Sequence, residues 1–215
     1  MTDLKKINIQ IFSDVICPWC FIGKKRLDNV ILALDNLDVA IRWRPYQLYP
    51  GLPPEGMDRQ EYLQRKYGSV SNGSAGSQRI KDEARSVGID IRYDLIQKIP
   101  NTSYAHSMLE LAVNYDLQHE LSEGLFEAYF CQGLDVGDLN VLVDVGVKAG
   151  IPAAETQNFF DSFQDVMDLE SHLDLAHENN IFSVPGYLFD NGYLLPGAQA
   201  EETISQVLTR VSEKV

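Results

Sequence analysis

Ile7-Asn8-Ile9-Gln10-Ile11-Phe12-Ser13-Asp14-Val15-Ile16-Cys17-Pro18-Trp19-Cys20 is the stretch on which the fold turns. Ile7, Ile9 and Ile11 alternate with Asn8, Gln10 and Phe12, the period of two that marks a strand. A loop from Ser13 to Ile16 leads to Cys17. From about Cys20 the period changes. Leu27, Val30, Ile31 and Leu34 fall at i, i+3, i+4 and i+7, one face of a helix. The cysteine pair therefore stands between a strand end and a helix start. The first turn of a helix has unpaired N–H groups and the positive end of the macrodipole. A thiolate at Cys17 is favoured there, and the thiolate is the form that attacks a disulfide. Pro18 suits the first turn, where its missing N–H has no helical partner to lose. Cys20 lies one turn on, close enough to form a disulfide with Cys17. The expected roles are Cys17 as nucleophile and Cys20 as the thiol that resolves a mixed disulfide.

The competing reading of Cys-x-x-Cys is half of a zinc site. Such a site needs two further ligands at suitable spacing. The chain has no second Cys-x-x-Cys, and its four histidines, His106, His119, His172 and His177, form no zinc-ligand pair. No metal is expected. The third cysteine, Cys131, stands alone and reads as a buried small hydrophobe, with an accessory redox thiol as the other reading. His106 reads as a satisfied or solvated histidine rather than an acid–base group. Trp19, between the two cysteines, is expected to be partly exposed on the rim of the site.

Composition narrows the partners. The chain has 215 residues, 45% of them hydrophobic, enough for a substantial core without disulfide staples. The formal net charge is −13, which argues against nucleic acid and against anionic membrane surfaces. No apolar run approaches the roughly 20 residues needed to span a bilayer. The opening Met1-Thr2-Asp3-Leu4-Lys5-Lys6 carries no apolar signal region, so the expected compartment is the cytoplasm.

Along the rest of the chain, Val39 to Arg44 reads as a second strand, with Pro45 ending it or placing it at an edge. Residues 50–56 form a Pro/Gly-rich crossing loop. After Gly56 the pattern is helical for more than a hundred residues, broken by a Ser/Gly loop from Ser69 to Ser77. Asn101 and Thr102 are candidate caps for a helix carrying Ala105, Met108, Leu109, Ala112 and Val113. Further helices are marked by Leu121 to Phe130, by Leu139 to Val147, and by Phe159, Phe160, Phe163, Val166 and Met167. Strands return as Gly186–Phe189 and Tyr193–Leu195 around Asn191-Gly192, a strong hairpin signal. A last helix has Ile204, Val207, Leu208 and Val211 on one face. The order is β-α-β, a helical block, then β-β-α. The expected fold is α/β, with residues 1–55 and 176–215 forming one sheet domain and residues 56–175 a helical insertion.

Several stretches carry a family resemblance. Ile9 to Cys20, Arg42-Trp43-Arg44-Pro45-Tyr46-Gln47-Leu48, Pro100-Asn101-Thr102, Leu125 to Phe130, Ser183-Val184-Pro185 and Pro196-Gly197-Ala198-Gln199 together resemble the DsbA family of thioredoxin-fold oxidoreductases, in its FrnE-like branch. The resemblance covers nearly the whole chain in order. It implies a thioredoxin fold interrupted by a helical insertion, and a cis Val184–Pro185 bond facing the cysteines. It implies substrate contacts at Pro18, Trp19, Val184 and Pro185, with Asn101 and Thr102 as further candidates. It also implies thiol or disulfide substrates, protein or small molecule, with no bound cofactor and glutathione as a candidate co-substrate. The Pro-Trp dipeptide lacks the histidine of strongly oxidising DsbA proteins, which implies a less oxidising centre. The alternative is a glutathione-dependent isomerase or transferase, like 2-hydroxychromene-2-carboxylate isomerase or the kappa-class transferases. Those typically carry serine where this chain has Cys17.

Overall fold

The isoleucine alternation becomes a strand with a neighbour on each side. In the computed structural model, which describes residues 5–34, 37–68, 72–162 and 169–214, β1 spans Lys5–Ser13. It pairs in parallel with β2 (Leu37–Pro45) and antiparallel with β5 (Gly186–Phe189). β6 (Leu194–Pro196) pairs antiparallel with β5 and closes the order β2-β1-β5-β6. Pro45 ends β2 on an edge strand, where a missing N–H leaves no ladder bond unmade.

The two faces of β1 are covered by different helices. Ile7, Ile9 and Ile11 are buried in one core with Phe21, Ile22 and Leu27 of α1 (Pro18–Ala33). The last helix, α9 (Glu201–Ser212), buries Ile204, Val207, Leu208 and Val211 in that same core. Full burial of each such side chain contributes roughly 1.5–3 kcal/mol relative to exposure. Phe12 turns to the other face, against Ala176 and Ile181, and Ala176 belongs to α8 (Leu169–Glu178).

Between β2 and β5 lie α2 (Arg59–Tyr67), α3 (Asn72–Ser86), α4 (Ser103–Leu111), α5 (Gln118–Phe126), α6 (Leu139–Ala149), α7 (Ala153–Ser162) and α8. A π-helical turn, Glu127–Cys131, follows α5. This block is tied to the sheet by a side chain that imitates a strand. Buried Gln118 accepts from the Trp43 N–H (3.0 Å) and donates to the Trp43 (3.4 Å) and Leu109 (2.9 Å) carbonyls. It is also tied to α1 by a stack: the Phe21 ring lies 5.1 Å from Phe126 and 6.2 Å from Phe130, centroid to centroid. Phe21 directly follows Cys20, so the helical block grips the helix that carries the cysteines.

Four expectations change. The stretch after Gly56 is not wholly helical. Met57–Asp58 and Lys98–Ile99 form a two-residue antiparallel pair, β3 and β4. Gly56 takes φ +74° beside it, and a Cβ there would lie 2.5 Å from the Ile99 carbonyl oxygen. Two residues are too few to leave a period in the sequence. The Ser69–Ser77 loop is also shorter than expected. Residues 69–71 lie outside the described set, but α3 is already helical from Asn72. Packing further along, of Ile80 and Ala84 on the core, outweighs the weak local propensity. β6 begins at Leu194 rather than Tyr193, because the turn around Gly192 (φ +78°) takes Tyr193 with it. Cys131 is half-buried, since it closes the π turn and turns partly outward. Phe163, Val166 and Met167 lie outside the described residues.

Candidate active site

Cys17 is the N-cap residue of α1, in extended backbone (φ −90°, ψ 112°), and Pro18 is the first helical residue. The loop before it is held by a bond from the Cys17 N–H to the Asp14 carbonyl (2.9 Å). The Cys20 and Phe21 N–H groups bond back to the Cys17 carbonyl at 3.0 and 3.3 Å, closing the first turn. Helical geometry thus begins two residues earlier than the apolar period shows, with Pro18 partly exposed and Trp19 partly packed on the core.

Both thiols are free. Cys17 retains 4% of its surface and Cys20 only 1%. The Cys17 Sγ lies 3.8 Å from the Val184 carbonyl oxygen, and the Val184–Pro185 bond is cis. The Pro185 carbonyl accepts from the Gly197 N–H (2.7 Å). Gly23 lets α1 approach this segment. A Cβ at Gly23 would sit 2.2 Å from the Tyr187 hydroxyl and 3.2 Å from Pro185 Cγ. Pro18 and Trp19 are partly exposed, and the Arg79 guanidinium lies 5.9 Å from the Trp19 ring centroid. Cys17, Pro18, Trp19, Cys20, Val184 and Pro185 therefore meet in one place.

Asn101 and Thr102 both bond within the protein. Asn101 does the capping: its Oδ1 accepts from the Ser103 N–H (3.0 Å) and its Nδ2 donates to the Leu52 carbonyl (2.8 Å). Thr102 is the N-cap of α4 by position but makes no cap bond, and its hydroxyl instead faces the Gln47 amide at 3.3 Å. Among the described residues, no three His, Cys, Asp or Glu converge as a metal-ligand set.

The two thiols differ in environment. Burial pushes the Cys20 thiol well above its ordinary value, and a hydrogen bond with Cys17 and the Cys17 negative charge push it further. Ser13 and the Asp14 backbone oppose this weakly. The Cys20 thiol is therefore held in its protonated form. A stability consequence follows. A group whose folded pKa is raised contributes stability below the unfolded value and loses it as pH rises toward the folded one. The reference thiol value is 9.0. Urea unfolding of the reduced protein is therefore expected to show stability falling above about pH 9. Buried Tyr187, also raised first by burial, adds to that decline. Cys20→Ala should flatten it in part, and an identical pH slope in wild type and variant would contradict the assignment.

Two groups near the site were not given roles by sequence. His106, expected to be satisfied or solvated, is 1% exposed, and neither ring nitrogen has a hydrogen bond. Its Nε2 lies 3.4 Å from Oδ1 of fully buried Asp14. The other Asp14 oxygen accepts from the Leu48 N–H (2.8 Å). The second group is a cluster of tyrosines with Arg59 and Lys66 around a cavity that reaches Ile16 and Pro18. Tyr62 and Lys66 at i, i+4 were a visible signal on α2, but Tyr49, Tyr93 and Tyr129 come from separate segments.

An α1 N-terminus bearing two free thiols against a cis-proline loop, on a four-stranded mixed sheet with helices on both faces, defines a thioredoxin-type centre. The chain belongs to the DSBA-like thioredoxin domain family, which it matches over residues 8–209. It is 24% identical over 211 residues to the uncharacterised protein YwbO of Bacillus subtilis strain 168, covering 97% of this chain and 98% of YwbO. Among solved structures it is similar to the probable DsbA oxidoreductase SCO1869 from Streptomyces coelicolor, with TM-score 0.82 and 26% identity. That match covers 95% of this chain and 89% of the other. It is also similar in fold to the cytosolic disulfide reductase DsbM from Pseudomonas aeruginosa with GSH, with TM-score 0.66 and 14% identity, covering 95% and 98%.

Proposed function

We propose that this chain is a thiol–disulfide oxidoreductase working through Cys17 and Cys20. The observation that carries the proposal is the pairing of a Cys17 Sγ 3.8 Å from the Val184 carbonyl with a Cys20 buried behind it. The Cys17 thiolate attacks one sulfur of a substrate disulfide. A Cys17–substrate disulfide forms, and the other substrate sulfur leaves as a thiolate that takes a proton. Cys20 then gives up its proton and attacks the Cys17 sulfur. The Cys17–Cys20 disulfide forms and the second substrate thiol leaves, so two electrons pass to the substrate. Re-reduction takes two equivalents of a thiol such as glutathione. The raised Cys20 thiol keeps the second step behind the first.

Pro18, Trp19, Val184 and Pro185 border Cys17 and are assigned to substrate contact, with Asn101 and Thr102 as further candidates. Residues 1–55 with 176–215 form the redox unit, and 56–175 the insertion that covers it. Work in the reducing direction, in the cytoplasm, agrees with the Pro-Trp dipeptide and with the cytosolic reductase of similar fold. No described helix is long and apolar enough to cross a membrane.

The test is capture. Cys20→Ala, purified from its host without reductant, is expected to carry a mixed disulfide on Cys17, identified by mass spectrometry. A protein or small disulfide partner supports the proposal. Glutathione on Cys17 with no reductase activity in wild type favours a glutathione-dependent isomerase instead. No adduct and no thiol reductase activity would overturn the proposal.

A further inference from the structure

The four-stranded sheet has two edges, and they differ. β6 is three residues long and ends in Pro196, features that discourage pairing with another strand. β2, at the opposite edge, runs for nine residues. Successive residues of a strand aim their N–H and C=O groups to opposite sides of it. The Tyr46 N–H, just beyond β2, donates to the Ser13 carbonyl of β1 at 3.0 Å, so the even-numbered residues bond inward. Leu37, Val39, Ile41 and Trp43 therefore aim their backbone groups out of the sheet.

The two ends of that outward row are already engaged. The Gln118 side-chain amide meets both the Trp43 N–H (3.0 Å) and the Trp43 C=O (3.4 Å). The Leu37 N–H donates to the Leu34 carbonyl at 3.4 Å. Between them, among the described residues, the outward N–H and C=O groups of Val39 and Ile41 form no hydrogen bond. The Gln118 amide also demonstrates that a peptide-like group fits this edge, because it accepts from and donates to one residue as a neighbouring strand does. The next two rungs of the same ladder are open.

A groove of about 760 Å³ follows Asp38 to Arg42 along this edge. Its apolar wall includes Ile31, Leu32 and Val113, and Leu32 is 80% exposed. Its charge is mostly negative. Asp28 is paired with Lys24 and His119, and Arg42 with Glu110. Among the described residues, Asp38, Asp116 and Glu120 of the groove form no ion pair.

We infer that the open edge of β2 docks an extended segment of a partner protein, which pairs with Val39 and Ile41 as a fifth strand and brings lysine or arginine to Asp38, Asp116 and Glu120. Backbone pairing supplies the binding, and the groove selects the side chains. Alternate side chains of the added strand fall toward Leu32 and Val113, and those between them toward Asp38, so the segment alternates apolar and basic residues. A second copy of this chain fits poorly, since it brings the same unpaired carboxylates and a net charge of −13 to the contact.

Amide exchange and peptide binding test this. The probe is the acetylated, amidated hexapeptide Lys-Val-Lys-Val-Lys-Val in about 0.15 M salt, which screens attraction to the net charge alone. In the free protein, NMR is expected to show faster hydrogen–deuterium exchange at Val39 and Ile41 than at Ala40 and Arg42, which bond to β1. Peptide at about ten times its Kd is expected to slow Val39 and Ile41 about tenfold. Leu32→Ser should weaken binding about tenfold by removing one apolar anchor from an exposed position. Asp38→Lys should weaken it as well, and the peptide with glutamate in place of lysine should not bind. Slow exchange at Val39 and Ile41 in the dilute free protein overturns the inference, as does peptide protection spread evenly along β2. Equal binding of the glutamate peptide, or binding unmoved by both substitutions, overturns it too. Protection of the two amides that grows with protein concentration alone makes a second copy the occupant and overturns the partner assignment. None of these readouts depends on Cys17 or Cys20, so the oxidoreductase reading stands or falls separately.

Discussion

Serine at position 17 is expected to bring disulfide reduction down to the rate of the protein-free control, with the fold retained. The argument starts from the sulfur. Only a thiolate attacks a disulfide at a useful rate, and serine offers a hydroxyl that does not ionise near neutral pH. Nothing nearby can replace it. Cys20 is 1% exposed and its thiol is pushed up by burial, so it meets only a partner already attached to Cys17. Cys131 is half-buried on the π turn. Its thiol is raised by burial and then by Glu127, Asp90 and Glu123, the opposite of an activated cysteine. The serine side chain is smaller by little and its hydroxyl can donate to the Val184 carbonyl that Cys17 faces. The melting temperature should therefore change by only a few degrees. Continuous turbidity or thiol-release assays on one protein disulfide and one small disulfide measure the first claim, and thermal unfolding the second. Residual turnover in Cys17→Ser that vanishes on further substitution of Cys131 would move the nucleophile to Cys131. Cys131→Ser alone is expected to retain wild-type turnover.

The cysteine half of this site was legible because it is local. Strand, loop, Cys17, Pro18 and Cys20 lie within sixteen consecutive residues, Lys5 to Cys20, and the change from a period of two to 3.6 marks the junction. The last helix was legible for the same reason: four apolar residues at helical spacing have one physical interpretation, and all four are buried. What escaped was non-local. Gln118 completes an edge strand by using its side-chain amide as a peptide group, and glutamine has no pattern that announces this. The tyrosine–cation cavity gathers Tyr49, α2, Tyr93 and Tyr129 from segments that only the folded helical block brings together. Asn101 and Thr102 show a finer limit. A cap was correctly placed there, but Asn101 carries the bond while Thr102 turns toward Gln47. Either side chain can serve, and packing around Gln47 and Leu52 decides between them.

The same limit hid the buried pair behind the active-site loop, and its removal should have the largest effect on stability. His106→Ala takes away the polar neighbour 3.4 Å from Asp14 Oδ1 and leaves a cavity beside that fully buried oxygen. Loss of a large buried side chain together with a polar neighbour costs about 3–5 kcal/mol. For a chain of this size that lowers the melting temperature by roughly 6–20 °C. Asp14→Ala should cost about as much, since it also strands the Leu48 N–H that the other carboxyl oxygen satisfies at 2.8 Å. The double substitution removes the mutual dependence along with both groups, so its cost should fall short of the two single costs added together. Equilibrium urea unfolding of the four proteins measures this coupling. Strictly additive losses would mean that the two side chains only fill space. A coupled loss has a functional corollary, because the Asp14 carbonyl holds the Cys17 N–H at 2.9 Å and its side chain anchors the loop after β2. Asp14 thus ties both segments, the Cys17 loop through its backbone carbonyl and the loop after β2 through its side chain. Turnover per folded molecule should then fall in Asp14→Ala even where the protein remains fully folded.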